Sequence, residues 1–239
     1  STHCISSAAS DVYKRQGLTA AFDQIAAAVA EARGTGRDLH VAVNASLAVK
    51  WLIPRLADFN RLHPLVRVHL VELAPHAVSR RGADVLLRLL DASRIETLGA
   101  VPIIPNAIGP VIAPALAQDD AQAAALTAPR LTPRTHVSAW KDWAGLSGRR
   151  LPDAPERPVA HLHFALDGAL AGWGAAVLPW ALTAEAVADG RLLAPFGFVR
   201  DDGAVAAIPG AGEMSQGRRQ FLNWLTDQGR AMPAPPDAT

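Results

Sequence analysis

Two short apolar runs, Leu39-His-Val-Ala-Val43 and Val66-Arg-Val-His-Leu-Val71, alternate as strands do and bracket an amphipathic stretch stopped by Pro64. Within that stretch Leu47, Trp51, Leu52, Leu56 and Phe59 share one helical face. Pro54 is expected in the first turn or at a kink, because proline has no N–H to give to a helix interior. Strand, helix and strand in this order demand a parallel strand pair joined by a right-handed crossover. The chain is therefore expected to be an α/β protein.

The rest of the chain extends that pattern. Ala83-Asp-Val-Leu-Leu-Arg-Leu89 reads as a third buried strand, and Val101 to Ile112 as extended chain punctuated by proline. Pro and Ala dominate 110–133 and 151–158, which are expected to be lobe surfaces and loops. A helix is expected from His161 to Ala171, a strand over Ala175-Ala-Val-Leu178, and a second helix from Leu182 to Asp189. Arg191 to Phe196 reads as extended and Ala204-Val-Ala-Ala-Ile208 as a weak strand. Ser215 to Met232 should form a final helix with Phe221, Leu222, Trp224 and Leu225 on its apolar side, followed by a frayed Pro- and Ala-rich tail at 233–239. No internal repeat is visible.

The two ends of the chain have different characters. Residues 1–16 resemble the translation of a transposase sequencing adaptor, carried mainly by Ser6-Ser-Ala-Ala-Ser-Asp-Val-Tyr-Lys-Arg-Gln16, and are set aside from the fold. No apolar segment follows a charged start there, so a secretory signal is not indicated. Setting the segment aside also removes Cys4 and Tyr13, the single cysteine and tyrosine of the chain. Without a thiol, disulfides, cysteine nucleophiles and thiolate metal sites are excluded, and a reducing cytoplasm is compatible. From residue 18 to 33, Leu18, Phe22, Ile25 and Val29 fall on one stripe of an Ala-rich helix ended by Gly34 and Gly36. That stripe must be buried either on its own lobe or on a second copy of the chain.

Composition narrows the function. Half of the residues are hydrophobic, 19% are charged and the net charge is +1, an ordinary balance for a globular domain. A polyphosphate backbone requires clustered surplus Lys and Arg, so DNA binding is not expected of this portion. The apolar stretches 98–118 and 164–188 are interrupted by prolines and acidic residues, which argues against membrane spans.

Several segments, taken in order, resemble the effector-binding domain of LysR-type bacterial transcription regulators. They are Trp51-Leu-Ile-Pro-Arg-Leu-Ala-Asp-Phe-Asn-Arg-Leu-His-Pro64, Gly82-Ala-Asp-Val-Leu-Leu-Arg88, Pro110-Val-Ile-Ala-Pro-Ala-Leu116, Asp142-Trp143, Ala169-Leu-Ala-Gly-Trp-Gly-Ala-Ala-Val-Leu-Pro179, Gly190-Arg-Leu-Leu-Ala-Pro-Phe196, and the helix around Phe221. The Trp51 segment and the Asp142-Trp143 pair are most similar to the subgroup containing glycine-cleavage and β-lactamase regulators. The resemblance implies an effector-binding domain over 37–232 with two lobes of the type 2 periplasmic-binding-protein kind. Lobe I would comprise about 37–100 and 204–232, and lobe II about 104–200. Two crossover strands near 99–106 and 198–206 would join them, a partial linker and dimerisation helix at 17–34 would precede them, and 233–239 would be a tail. It also implies a cytoplasmic homodimer or tetramer that meets DNA only through an N-terminal helix-turn-helix domain missing from this chain.

In such a fold the effector, an unidentified small molecule, lies between the lobes, where helix N-termini offer N–H donors to an anionic group. Asn44-Ala45-Ser46 stands between a strand and a helix. The resemblance makes Ser46 an effector contact, while its residue type equally suits an N-cap. His161 is implied at the start of the first helix of lobe two, as a ligand contact, a cap or a surface residue. Arg88 ends an apolar strand and either clamps a carboxylate or pairs with an acid such as Asp91. Asn106, in the expected crossover, is a further candidate. After Arg88 the loop that the family places there is shortened to Leu89-Leu-Asp-Ala-Ser93.

No cofactor or metal site is expected. His161 and His163 would point about 200° apart on a helix and have no acidic partner near in sequence. Asp142 reads as part of a solvated turn. No nucleophile elbow, phosphate loop, dinucleotide fingerprint or metal-ligand cluster is present, so catalysis has no sequence support. A solute-binding protein of a transport system shares the fold and stays open as the alternative. Ligand closure of the cleft, biasing how two protomers pack, is the mechanism implied for a regulator.

Overall fold

The computed structural model describes residues 38–73, 82–117 and 119–238. The adaptor-like segment and the stripe Leu18, Phe22, Ile25 and Val29 lie outside the described residues.

The expected strand, helix and strand unit is present. β1 (Asp38–Val43) pairs in parallel with β2 (Arg67–Glu72) and, on its other side, with β3 (Val85–Leu90). The intervening helix starts as α1 (Ala45–Leu47), widens into a π turn at Ala48–Leu52 and continues as α2 (Ile53–Leu62). The π turn is closed by the Ile53 N–H donating to Ala48 O, just before Pro54. The wider turn lets the backbone pass a residue that has no N–H for the carbonyl four places earlier. Trp51, Leu52 and Phe59 are fully buried by this helix.

Asp91 caps α3 (Ala92–Leu98) by accepting from the Arg94 N–H at 2.8 Å, and Gly99 closes it in the left-handed region at φ 58°. β4 (Val101–Val111) then leaves the first lobe, and β8 (Val199–Pro209) returns antiparallel to it. These are the two crossover strands. β8 is longer than the stretch 204–208 suggested, because its first half is polar and carries no apolar alternation. Register shifts between Pro102 and Ile104 and between Pro105 and Ala107 bend β4 where it changes lobes.

The second lobe holds α4 (Pro114–Ala117), α5 (Ala121–Thr127), β5 (Arg130–Pro133), α6 (Ala139–Ser147), β6 (Glu156–Val159), α7 (Leu162–Leu170), β7 (Ala176–Pro179) and α8 (Trp180–Ala188). The main sheet runs β2-β1-β3-β8-β4-β7, and β5 pairs in parallel with β6. Backbone bonds from Leu131 to Ala175 and from Ala175 to Pro129 dock β5 beside β7. Lobe II thus reads β6-β5-β7-β4-β8, the order of lobe I with the crossovers exchanged.

Several expectations for lobe II are corrected. The stretches 110–133 and 151–158 carry the end of β4, α4, α5, β5 and the start of β6 rather than loops alone. Ala113, Ala117 and Ala125 bury as core residues, Ala125 completely, without the hydropathy contrast that marks an amphipathic helix. Asp142 lies on α6, not in a turn, and accepts from Ser138 Oγ at 2.6 Å. Its neighbours Trp140 and Trp143 are buried against Phe196 and Ile112. The segment from Arg191 to Phe196 is a series of bends and turns with one bridge, Leu193 to Ile112 just past the end of β4, rather than a strand.

One apolar core runs through both lobes, with Val41, Trp51 and Phe59 on one side and Leu131, Ala165 and Leu178 on the other. α9 (Gln216–Arg230), capped by Ser215, closes lobe I with Phe221, Leu222, Trp224 and Leu225 buried as expected. Phe59 meets Phe221 edge to face at 5.1 Å. The tail is docked rather than frayed. Trp180 Nε1 donates to Pro233 O at 2.8 Å, and Phe198 N–H donates to Pro236 O at 2.9 Å. Gly197, at φ 62°, lets the tail approach so closely that a Cβ there would lie 2.0 Å from Asp237 O.

Candidate functional site

A cavity of about 280 Å³ opens where the C-terminal ends of β1, β2 and β3 face lobe II. This is where parallel α/β sheets place ligands, because the strands end there and the following helices begin. Lobe I supplies Asn44, Ala45 and Ser46 after β1, Glu72 and Leu73 at the end of β2, and Arg88 and Leu89 within β3. From lobe II come Thr135 and His136 after β5, with His161 and Leu162 at the start of α7. Of the sequence candidates, Asn44, Ala45, Ser46, Arg88 and His161 are brought together here.

The capping role assigned by residue type to Ser46 belongs to Asn44. Asn44 Oδ1 accepts from the Leu47 N–H at 2.9 Å, and the Asn44 carbonyl accepts from the Ala48 N–H. Ser46 is 5% exposed and reaches across to the other lobe. Its Oγ lies 3.1 Å from His163 Nδ1 and accepts from the His163 backbone N–H at 3.2 Å. With His163 neutral and its proton on Nε2, the Ser46 hydroxyl donates to Nδ1. Two further ties join the same faces. Lys50 Nζ meets Asp167 Oδ1 at 2.6 Å, and Arg55 meets Glu185 at 2.9 Å.

His161 occupies the N-cap position of α7 with extended backbone, φ −137° and ψ 162°, and its side chain makes no capping bond. It is therefore outside the helical repeat. The rings of His161 and His163 do not diverge but stack, 5.3 Å apart and 8° from parallel. α4, α5 and α6 precede α7, so His161 does not begin the first helix of lobe II. Burial, then the neighbouring His161, lowers the pKa of His163. Asp167 raises it, Lys50 lowers it and Glu72 raises it, with a net fall. Among the described residues, no group of three or more His, Cys, Asp or Glu is placed to hold a metal.

Arg88 is half-buried in β3 and lines the cavity, its pKa lowered from the ordinary value by burial and by the like charge of Arg94. Asp91, the acid suggested for it, caps α3 and lies 3.7 Å from Arg94 Nε. Asn106 stands elsewhere. It is buried in β4 and donates from Nδ2 to Asp201 Oδ2 at 2.7 Å, tying the two crossover strands together.

The profile of the LysR substrate binding domain matches residues 32–230. The chain belongs to this family. It is 32% identical over 230 residues to the HTH-type transcriptional regulator TrpI of Pseudomonas aeruginosa, covering 92% of this chain and 77% of that protein. It is 29% identical over 198 residues to the HTH-type transcriptional activator AmpR of Rhodobacter capsulatus, covering 80% of this chain and 66% of that protein. The effector domain of AmpR from Pseudomonas aeruginosa shares the fold with a TM-score of 0.64 at 22% identity, covering 80% of this chain and 95% of its own. The AmpR effector binding domain from Citrobacter freundii does so at 0.65 and 23%, covering 81% and 98%. The two-lobed α/β architecture of this LysR domain is that of the effector domains. Among its described residues no helix is long and apolar enough to cross a membrane.

Sequence reasoning missed Glu72, Thr135, His136 and His163. Thr135 and His136 follow β5 as Asn44 to Ser46 follow β1, so the repeated strand order of the lobes was the available signal. His163 was discounted by projecting it and His161 on one helix, which the extended N-cap does not obey.

Proposed function

We propose that this LysR domain is the ligand-sensing portion of a transcription regulator and takes a small-molecule effector into the cavity between its lobes. The observation that carries this reading is the cavity itself, walled on one side by the ends of β1, β2 and β3 and on the other by α7 and the turn after β5. Ala45 and Ser46 lie in the first turn of a helix, where backbone N–H groups favour an acidic group on the ligand. Asn44, Ser46, Arg88 and His161 are the contacts we assign to the effector.

The curated relatives are named as HTH-type regulators, which favours this reading over a transport solute-binding protein of like fold. On the same basis the domain is non-catalytic and works in the cytoplasm as part of a homodimer or tetramer. DNA is met through a helix-turn-helix domain joined ahead of it. Effector closure shifts the packing of protomers by its differential affinity for the two lobe arrangements.

The test is a thermal-shift and calorimetric screen of metabolites on the 239-residue chain and on Ala45→Trp, which fills the cavity. Ligands that bind the parent and not the variant are expected. Ligands that bind both equally would place the sensing site elsewhere.

A further inference from the structure

The ties between the lobes are laid out in register. Ser46 and Lys50 are four residues apart, as are His163 and Asp167, and Ser46 meets His163 while Lys50 meets Asp167. Residues so spaced lie on one face of a helix, so the lobe I helix and α7 run side by side with matched rungs. Further along, Arg55 adds a rung to Glu185 of α8. Lobe I aims that guanidinium, because Arg55 Nη1 donates to Trp51 O at 2.9 Å and the Arg55 Cζ lies 5.3 Å from the centre of the Trp51 ring.

The tail continues the same line. Met232, just past α9, accepts through Sδ from Trp51 Nε1 at 3.2 Å. From there the chain crosses to lobe II, where Pro233 O accepts from Trp180 Nε1 and Pro236 O accepts from the Phe198 N–H. Asp237 bridges to Phe198, whose ring meets Trp180 edge to face at 5.0 Å. The contacts therefore run from Ser46 at the cavity wall, past Trp51, to Phe198 at the foot of β8. On the other walls of the cavity, neither Glu72 of lobe I nor Thr135 of lobe II makes a hydrogen bond or ion pair to the opposite lobe among the described residues.

Each tie alone holds little. Asp167 and Glu185 are more than half exposed, and ion pairs in such surroundings are weak. Mounted on rigid helices, however, neighbouring rungs cannot open one at a time, and contacts of this kind are lost as a cooperative unit.

We propose that the rungs and the tail form one clasp that opens as a unit, so that docking of Met232 to Asp237 sets how firmly the cavity wall at Ser46 is closed. The C-terminal segment then governs the cavity from its far side. This goes beyond the sensing role and holds whatever the cavity takes in.

Two backbone amides report the ends of the clasp, His163 N–H on Ser46 Oγ and Phe198 N–H on Pro236 O. Native-state hydrogen exchange of the full chain, followed by NMR across low urea concentrations, should show one common opening for both, about tenfold or more less protected than the amides of β3. Removing 233–239 should speed exchange at His163 by about fivefold or more, the worth of one net hydrogen bond, although none of its own bonds is touched. The double variant Asp167→Asn/Glu185→Gln, confined to exposed side chains, should speed exchange at Phe198 by about threefold. That variant carries the test by itself if the truncated chain does not fold. Acceleration confined to the altered end overturns the clasp. So does equal protection of His163, Phe198 and β3, since the lobes would then part only when the whole chain unfolds.

Discussion

The Ser46 hydroxyl and His163 of the facing lobe hold each other twice, through Nδ1 at 3.1 Å and through the His163 backbone N–H at 3.2 Å. The first turn of the lobe I helix and the first turn of α7 are therefore joined at the cavity wall by a single side chain. With one bond accepted and one donated, Ser46 keeps a single lone pair for a ligand, as an acceptor.

Ser46→Ala strands the His163 N–H and is expected to cost about 1–2 kcal/mol of stability, read from urea unfolding. Combining it with His163→Phe should show coupling of about 1 kcal/mol. Strict additivity would mean that the contact holds nothing.

Acidification should weaken the same junction. The folded chain holds the pKa of His163 below its ordinary 6.5 through burial and the adjacent His161, with Lys50 acting the same way against Asp167 and Glu72. The unfolded chain thus takes up this proton at higher pH than the folded one. The contribution is complete above 6.5 and is lost as pH falls through the lowered folded value. Unfolding free energies measured across this range should decline with acid, and His163→Gln should flatten the decline.

Arg218 is buried beneath the end of β8. It pairs with Asp84 at 3.0 Å while reaching the carbonyls of Gly210 and Ala211. Asp84 also accepts from the His40 N–H at 2.8 Å, so the pair fixes the edge where β1, β3 and α9 meet. Arg218→Met leaves that carboxylate without its cation and should cost about 3 kcal/mol. A loss below about 1 kcal/mol in chemical denaturation would refute this.

Deleting 233–239 removes the acceptors of Trp180 Nε1 and the Phe198 N–H and should lower stability by about 1–2 kcal/mol. Gly197→Ala should act in the same direction, because its Cβ and the tail cannot occupy the same space at φ 62°. If the truncation is neutral in thermal melts while Gly197→Ala is not, the tail is not what Gly197 accommodates.

How far the fold was legible depended on contrast. The unit from Leu39 to Val71 stood out because apolar residues recur at alternate positions along both of its strands, and α9 because Phe221, Trp224 and Leu225 fall on one face. α5 was hidden because alanine buries without announcing a face, and the tail because composition says nothing about two backbone acceptors. At the site, Asn44 to Ser46, Arg88 and His161 were readable from their positions at strand and helix ends. Glu72 and His163 were not, since what makes them neighbours is the pairing of β2 with β1 and the approach of two lobes, both long-range.

Arg88 faces Ala206 across one rung of the antiparallel ladder between β3 and β8. β8 is also a strand that joins the lobes, bound to β4 beside the bulges and through Asp201 to Asn106. A side chain that looks into the cavity is thus one hydrogen-bonded step from the hinge, with no loop between them to absorb a displacement. Contact and leverage share the same backbone.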